Sequence, residues 1–203
     1  MSESNRCYTI VPAAGHSRRM GKPKLLLPWQ GKTVMDHVLQ VWTTSDVTET
    51  VVVIRRDDVE LQRVCSQWPV AIVQPSEAPA DMKASVQAGL RFLEQHYEPS
   101  ATDHCFIAPA DLPTLQQGII PPLLAAPKDP THLIVPQFGG KQGHPVLLPW
   151  PLTGEIHTLT ADQGVDALVA RHPQTIVPFP AADRVTDVDT PAEYQMVYKN
   201  HHG

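Results

Sequence analysis

Short apolar runs rich in β-branched residues alternate with longer stretches of helical periodicity, and this alternation restricts the fold more than any other feature. Tyr8-Thr-Ile-Val-Pro12, Thr50-Val-Val-Val-Ile54, Val70-Ala-Ile-Val73, His104-Cys-Phe-Ile-Ala-Pro109, His132-Leu-Ile-Val-Pro136, Pro145-Val-Leu-Leu148 and Thr175-Ile-Val-Pro-Phe179 read as strands. Val34, Val38 and Val41, with Met35, Leu39 and Trp42 beside them, mark a helix over residues 32–43. Residues 57–67, 82–95 and 162–171 have similar character, and 115–125 is weakly helical, with Pro121-Pro122 bending or restarting it. Gly139-Gly140-Lys141 supplies a turn. Pro191 opens a terminal helix capped by Asp189 or Thr190, and His201-His202-Gly203 reads as a frayed terminus. The pattern predicts an α/β sandwich with a mostly parallel sheet, whose ligands bind at the carboxyl ends of strands. No repeat or low-complexity linker divides the chain. One domain over 1–203, with its core at about 7–198, is expected.

Charge and composition exclude several classes. The formal net charge is −5 with no long run of either sign, which argues against a general nucleic-acid surface while leaving room for a local cationic cleft. Cys7, Cys65 and Cys105 are odd in number, far apart and without zinc-type spacing, so a reducing compartment is expected. No apolar signal region opens the sequence and no run of about 18 apolar residues occurs, so neither export nor a membrane span is expected and the location is read as cytoplasmic.

The segment from Ala13 to Lys24 follows the first strand. Gly15 and Gly21 allow close backbone approach, Ser17 offers a hydroxyl, and Arg18, Arg19, Lys22 and Lys24 place four cations within seven residues. A triphosphate is held by such a combination of backbone N–H donors and positive charge; a solvated basic loop is the alternative. Two familiar phosphate motifs are absent. Leu26 stands where a P-loop ending in Gly31-Lys32-Thr33 needs glycine, and His16-Ser17 after Gly15 breaks the dinucleotide pattern.

Carboxylates complete the pattern. Asp111 follows a strand, and Asp187 and Asp189 flank Val188 on one face of an extended segment before the last helix. Magnesium is commonly held by one or two carboxylates plus phosphates and water, so Asp111 with Asp187 or Asp189 suffices; each alone is also explained as a turn residue or cap. His144, kept extended before Pro145, is read as a substrate contact or a structural residue. Asp81 and Ser85 are read as nucleotide contacts or as the cap and first turn of a helix, and Asp162-Gln-Gly164 as a cap or a substrate contact.

These residues resemble the molybdenum cofactor nucleotidyltransferases, and the cytidylyltransferase branch in particular. The resemblance spans about residues 7–198. It rests on Ala13-Ala-Gly-x-Ser-x-Arg-Met-Gly-x-Pro-Lys24, then Leu25-Leu-Leu-Pro28, Gly31-Lys-Thr33, Ala110-Asp-Leu-Pro113, Gly143-His-Pro-Val146 and Asp187-Val-Asp-Thr-Pro191. It implies a three-layer, Rossmann-like sandwich of the nucleotide-diphospho-sugar transferase type. It implies that Ala13, Ala14, Gly15, Arg19 and Lys24 hold the nucleotide, with Ser17, Ser85 and His144 as further candidate contacts. Arg19, Lys24 and Asp111 are the expected catalytic groups. Mg2+ would be bound by Asp111 with a member of the Asp187–Asp189 pair. The guanylyltransferases carry Ala-Gly-Gly at the Ala13-Ala14-Gly15 position, so CTP is the expected donor and molybdopterin the expected acceptor, with a molybdoenzyme as a further partner. Pro12, Asp81-Met-Lys-Ala-Ser85 and Ala161-Asp162 depart from the family pattern. They keep open a different phosphorylated acceptor, such as a sugar or polyol phosphate, and a non-catalytic carrier of nucleotide or pterin.

Overall fold

The first strand sets the layering. In β1 (Cys7–Pro12) successive side chains point to opposite faces: Cys7 and Val11 enter one apolar core, Tyr8 and Ile10 the other. The computed structural model describes residues 5–160 and 163–202, so Ala161 and Asp162 lie outside the described residues. A hairpin of β2 (Pro28–Trp29) and β3 (Lys32–Thr33) follows β1. Then come α1 (Val34–Thr43), β4 (Glu49–Val53), α2 (Val59–Cys65), β5 (Ala71–Val73), α3 (Met82–Tyr97), β6 (His104–Ile107) and α4 (Ile120–Ala125). The second half holds β7 (Leu133–Phe138), β8 (Lys141–Gln142), β9 (Val146–Pro149), α5 (Trp150–Thr153), α6 (Asp166–Arg171), β10 (Gln174–Phe179) and α7 (Pro191–His202).

The main sheet has the order β10-β7-β9-β6-β1-β4-β5, with β8 attached to β7. Strand β1 is parallel to β4 and β6, β4 to β5, and β10 to β7. Strand β9 runs antiparallel between β6 and β7. Helices α1, α2, α4 and α7 cover the face holding Val11, Val52 and Phe106, while α3 and α6 cover the face holding Ile10, Val53 and Ile107. The expected three-layer sandwich with a mostly parallel sheet is therefore present. The reversal at β9 follows the Gly139-Gly140 turn, where both residues have positive φ (54° and 87°), as a two-residue type I′ hairpin requires.

Element boundaries follow local chemistry. Lys32 and Thr33 pair with Trp29 and Pro28, so the helix expected from Lys32 starts at Val34. Thr33 caps it: its hydroxyl accepts from the Asp36 N–H while the Asp36 carboxylate accepts from the Thr33 N–H. Pro121 and Pro122 restart a helix, standing in the first turn of α4, where a missing N–H is tolerated. Thr190, not Asp189, caps α7: its hydroxyl accepts from the Glu193 N–H, and the Glu193 carboxylate accepts from the Thr190 N–H. The end expected to fray instead continues α7, with the His201 ring 5.7 Å from that of Trp29.

Gly89 marks the tightest contact between α3 and β1. A Cβ there would lie 2.8 Å from Cγ2 of Ile10, a fully buried β-branched side chain with few alternative rotamers. Overpacking of this kind costs about 1–3 kcal/mol, offset by about 1 kcal/mol of alanine helix propensity. Gly89→Ala is thus expected to lower stability by up to about 2 kcal/mol in urea denaturation. Equal or greater stability would show that α3 moves off β1 freely.

Candidate functional site

The chain runs outward from β1 through β4 to β5, then returns to the opposite side of β1 with β6. Such a reversal opens a crevice at the carboxyl ends of the two diverging strands. The loop after β1 and the loop after β6 enter it side by side, fixed by Ala13 N–H to Val53 O at 2.8 Å and Ala108 N–H to Ile10 O at 3.0 Å. The start of α3 supplies another wall. The resulting cleft, of about 380 Å³, is lined by Ala13, Ala14, Gly15, Ser17, Lys24, Asp81, Ser85 and Asp111 among others.

Ser17 shapes the first loop. It has φ 48°, its carbonyl accepts from the Met20 and Gly21 N–H groups, and its hydroxyl accepts from the Lys24 N–H at 3.2 Å. The hydroxyl expected to meet a ligand thus also delivers Lys24 to the crevice. Among the described residues, the N–H groups of Ala14, Gly15 and His16 donate to no protein acceptor, leaving consecutive donors for an anion. A Cβ on Gly15 would meet nothing within 4 Å.

Lys24 is the hub of the charged groups. Its ammonium, with 16% side-chain exposure, donates to Asp111 Oδ2 and, at 2.9 Å, to Asp189 Oδ1. The other Asp189 oxygen accepts from Arg19 Nη2 at 2.8 Å. Buried Val188 places Asp189: its N–H donates to the Asp111 carbonyl at 3.1 Å, and the neighbouring Thr186 N–H donates to the Thr114 hydroxyl at 2.7 Å. Burial works to lower the Lys24 pKa, but the two carboxylates outweigh it and leave it raised. For Asp189 burial works upward, and Lys24 and Arg19 overcome it to hold the carboxyl below its ordinary value.

The carboxylates of Asp111 and Asp189 therefore converge on one cation. Their hard oxygens suit a divalent ion of the magnesium type. Among the described residues no group of three His, Cys, Asp or Glu side chains assembles, so such an ion would need further oxygens from phosphate or water. Asp187 is exposed and, among the described residues, forms no ion pair with Lys24 or Arg19.

The remaining candidates are spread around this centre. Ser85 lines the cleft with its hydroxyl turned back to the Asp81 carbonyl at 3.3 Å. The Asp81 carboxylate caps α3 by accepting from the Ala84 N–H at 2.7 Å. His144, joined to Pro145 by a cis peptide bond, lines a second cavity of about 360 Å³ with Ile107, Val135, Val146, Gln142 and Asp166. That cavity shares Met82 and Pro109 with the first. Desolvation by the cavity walls lowers the His144 pKa against the opposing pull of Asp111, Asp187 and Asp166. The thiols take no part: all three are buried, and burial pushes Cys7 and Cys65 up to about 12.

Two more basic residues hold the site together: Lys83, within the stretch that departs from the family pattern, and Arg55, which the sequence alone did not single out. The buried Lys83 donates to the Thr160 carbonyl, tying the start of α3 to the segment before α6. Arg55, just past β4, donates to the carbonyls of Ala14 and Gly15. Its place two residues beyond β4, just after the buried Ile54, was the available signal.

A family model described as the MobA-like NTP transferase domain matches residues 9–176. The molybdenum cofactor cytidylyltransferase of Escherichia coli is 27% identical over 186 residues, covering 91% of this chain and 92% of that protein. A probable molybdenum cofactor guanylyltransferase of Bacillus cereus is 31% identical over 133 residues, covering 66% of this chain and 62% of that one. A Mycobacterium tuberculosis protein solved in complex with manganese superposes with a TM-score of 0.77 at 22% identity, over 96% of this chain and 99% of that chain; this likeness concerns the fold. With a crevice of free amides, paired carboxylates and a bridging lysine, and with the family model covering most of its length, the chain belongs to the MobA-like NTP transferases.

Proposed function

We propose that the protein is a magnesium-dependent cytidylyltransferase that moves CMP from CTP to molybdopterin or the molybdenum cofactor and releases pyrophosphate. One observation carries this function: Lys24 joins Asp111 and Asp189 at the mouth of a crevice whose loop amides are free. A phosphate oxygen of the acceptor attacks the α-phosphorus of CTP; the new P–O bond forms as the bond to pyrophosphate breaks. A phosphate monoester is already anionic, so positioning and charge stabilisation suffice without a strong base. The amides of Gly15 and His16, with Lys24 and Arg19, receive the triphosphate. Asp111 and Asp189 would hold magnesium, which when bound offsets charge on phosphate oxygens. The manganese in the M. tuberculosis structure supports a divalent ion in this fold.

Ala13-Ala14-Gly15, where guanylyltransferases carry Ala-Gly-Gly, favours CTP, as does the near-complete span of the E. coli relative. The second cavity, apolar on Ile107, Val135 and Val146 and polar at Gln142, His144 and Asp166, suits a flat, hydrogen-bonding pterin beside the nucleotide. A molybdoenzyme then receives the product. The three unpaired, buried thiols fit a cytoplasmic setting. Capping of α3 by Asp81, within the stretch that departs from the family pattern, favours one second reading, a carrier that binds nucleotide or pterin without transfer.

Each of four NTPs with magnesium, incubated with molybdopterin or with a sugar or polyol phosphate, separates these functions by pyrophosphate release. Release is expected with CTP and molybdopterin. A preference for GTP would change the base, release only with another phosphate would change the acceptor, and binding without release would leave the carrier. Asp111→Asn is expected to reduce turnover by at least about 10²-fold; turnover near that of the parent would remove Asp111 from the reaction. Gly15→Ala, whose Cβ points into open space, is expected to keep its melting temperature and to bind CTP roughly tenfold more weakly, about 1.4 kcal/mol by calorimetry. Unchanged affinity would mean that the phosphates pass elsewhere.

A further inference from the structure

The loop after β1 is a wall between two cavities. On one side is the cleft lined by Ala14, Gly15, Asp81 and Asp111; on the other is a cavity lined by Gly15, Ser17, Arg55, Asp57 and Asp58. The Arg55 side chain is only 12% exposed. Its Nη1 donates to the Ala14 carbonyl at 3.1 Å and the Gly15 carbonyl at 2.9 Å. Its Nε donates to Asp57 Oδ1 at 3.0 Å and its Nη2 to Asp58 Oδ2 at 3.3 Å. Asp58 is itself fixed as the cap of α2, accepting from the Leu61 N–H at 3.2 Å. All three nitrogens of the guanidinium are thus occupied, and its charge is met by two carboxylates, so Arg55 is not presented to a ligand.

Its effect passes through the peptide planes. In a trans peptide the carbonyl of one residue and the N–H of the next point in opposite directions. Drawing the Ala14 and Gly15 carbonyls towards Arg55 turns the N–H groups of Gly15 and His16 away from it, towards the cleft. Among the described residues these two N–H groups donate to no protein acceptor. The same contacts remove two carbonyl dipoles from the path of an incoming anion. A glycine-containing loop without this tether would sample many orientations of those peptides.

We propose that Arg55 is a positioning residue of the nucleotide site, clamping the Ala14 and Gly15 carbonyls so that the Gly15 and His16 amides face the phosphates. The identity of the ligand rests on the nucleotidyl-transfer function above; the clamp itself does not. Binding aligned this way is shared by substrate and transition state, so its loss acts on KM more than on kcat.

The test compares the parent protein with Arg55→Met, Arg55→Lys and Arg55→Ala. Arg55→Met is expected to raise the Kd and KM for magnesium-CTP about tenfold or more, with kcat at saturation within a few-fold. Arg55→Lys is expected to recover only part, because an ammonium lacks the planar fork that serves two carbonyls and two carboxylates at once. Millimolar guanidinium is expected to restore CTP affinity to Arg55→Ala and to leave Lys24→Ala unimproved. In the amide NMR spectra of the ligand-free proteins, the Gly15 and His16 signals are expected to move in Arg55→Met. Parental CTP affinity in Arg55→Met overturns the proposal, as do unmoved Gly15 and His16 signals. A lowered melting temperature with equal losses in kcat and binding and no guanidinium rescue also overturns it, marking a purely structural arginine. If the parent protein neither binds CTP nor releases pyrophosphate, the transfer function falls, and the amide signals alone still decide the clamp.

Discussion

Strand β1 is hydrogen-bonded along both edges, to β4 and to β6, and the site depends on that double pairing. Its alternation sends Tyr8 and Ile10 into one core and Cys7 and Val11 into the other, so a shift of the strand by one residue would drive each set into the core packed for the other. The pairing continues past the strand, with Ala13 on Val53 and Ala108 on Ile10. Two loops that are remote in sequence therefore leave the sheet at fixed places on either side of the switch point. A cleft built on such an edge is positioned by the cores, and the loops themselves need little internal structure.

Within that frame the charged groups neutralise one another. Two carboxylates facing one another in a crevice repel, and Lys24 and Arg19 neutralise them in the ligand-free protein. The groups that would hold a metal and the groups that would meet a triphosphate are thus each other's counter-ions before either ligand arrives. On the proposed function, binding a metal alone would leave Lys24 unpaired, and binding a phosphate alone would leave the carboxylates unpaired. Only the two together would replace every charge contact that is lost, which would couple their affinities by ordinary linkage.

Local chemistry was legible in the sequence and cross-strand geometry was not. Strands with β-branched runs, the Gly139-Gly140 turn and the cationic glycine loop each declare themselves within a dozen residues. Asp111 and Asp189 were found as carboxylates at element ends, but their meeting at Lys24 depends on Val188 pairing with Asp111 across 77 positions of sequence. The Gly139-Gly140 turn announced a reversal of the chain, but the insertion of β9 between β6 and β7 had no local signal, because nothing in its apolar run names its neighbours. Strand β3 of the β2–β3 hairpin was hidden inside what read as the start of a helix, since two paired residues give no periodicity. Asp189 and Thr190 were interchangeable as caps by residue type; Glu193, three residues after Thr190, decided between them.

The two basic residues that touch the first loop show why composition alone misleads about such sites. Lys24 belongs to the cationic cluster and was visible as part of it, yet its charge is committed to Asp111 and Asp189 until something replaces them. Arg55 lies outside the cluster, and its charge is committed to Asp57 and Asp58. One presents a charge that can be transferred to a ligand; the other fixes the backbone that presents N–H groups. A phosphate site made of both, as proposed, would have its long-range attraction in the side chains and its geometry in the main chain. The geometric half is set by which carbonyls are held back, and nothing in a count of lysines and arginines records that.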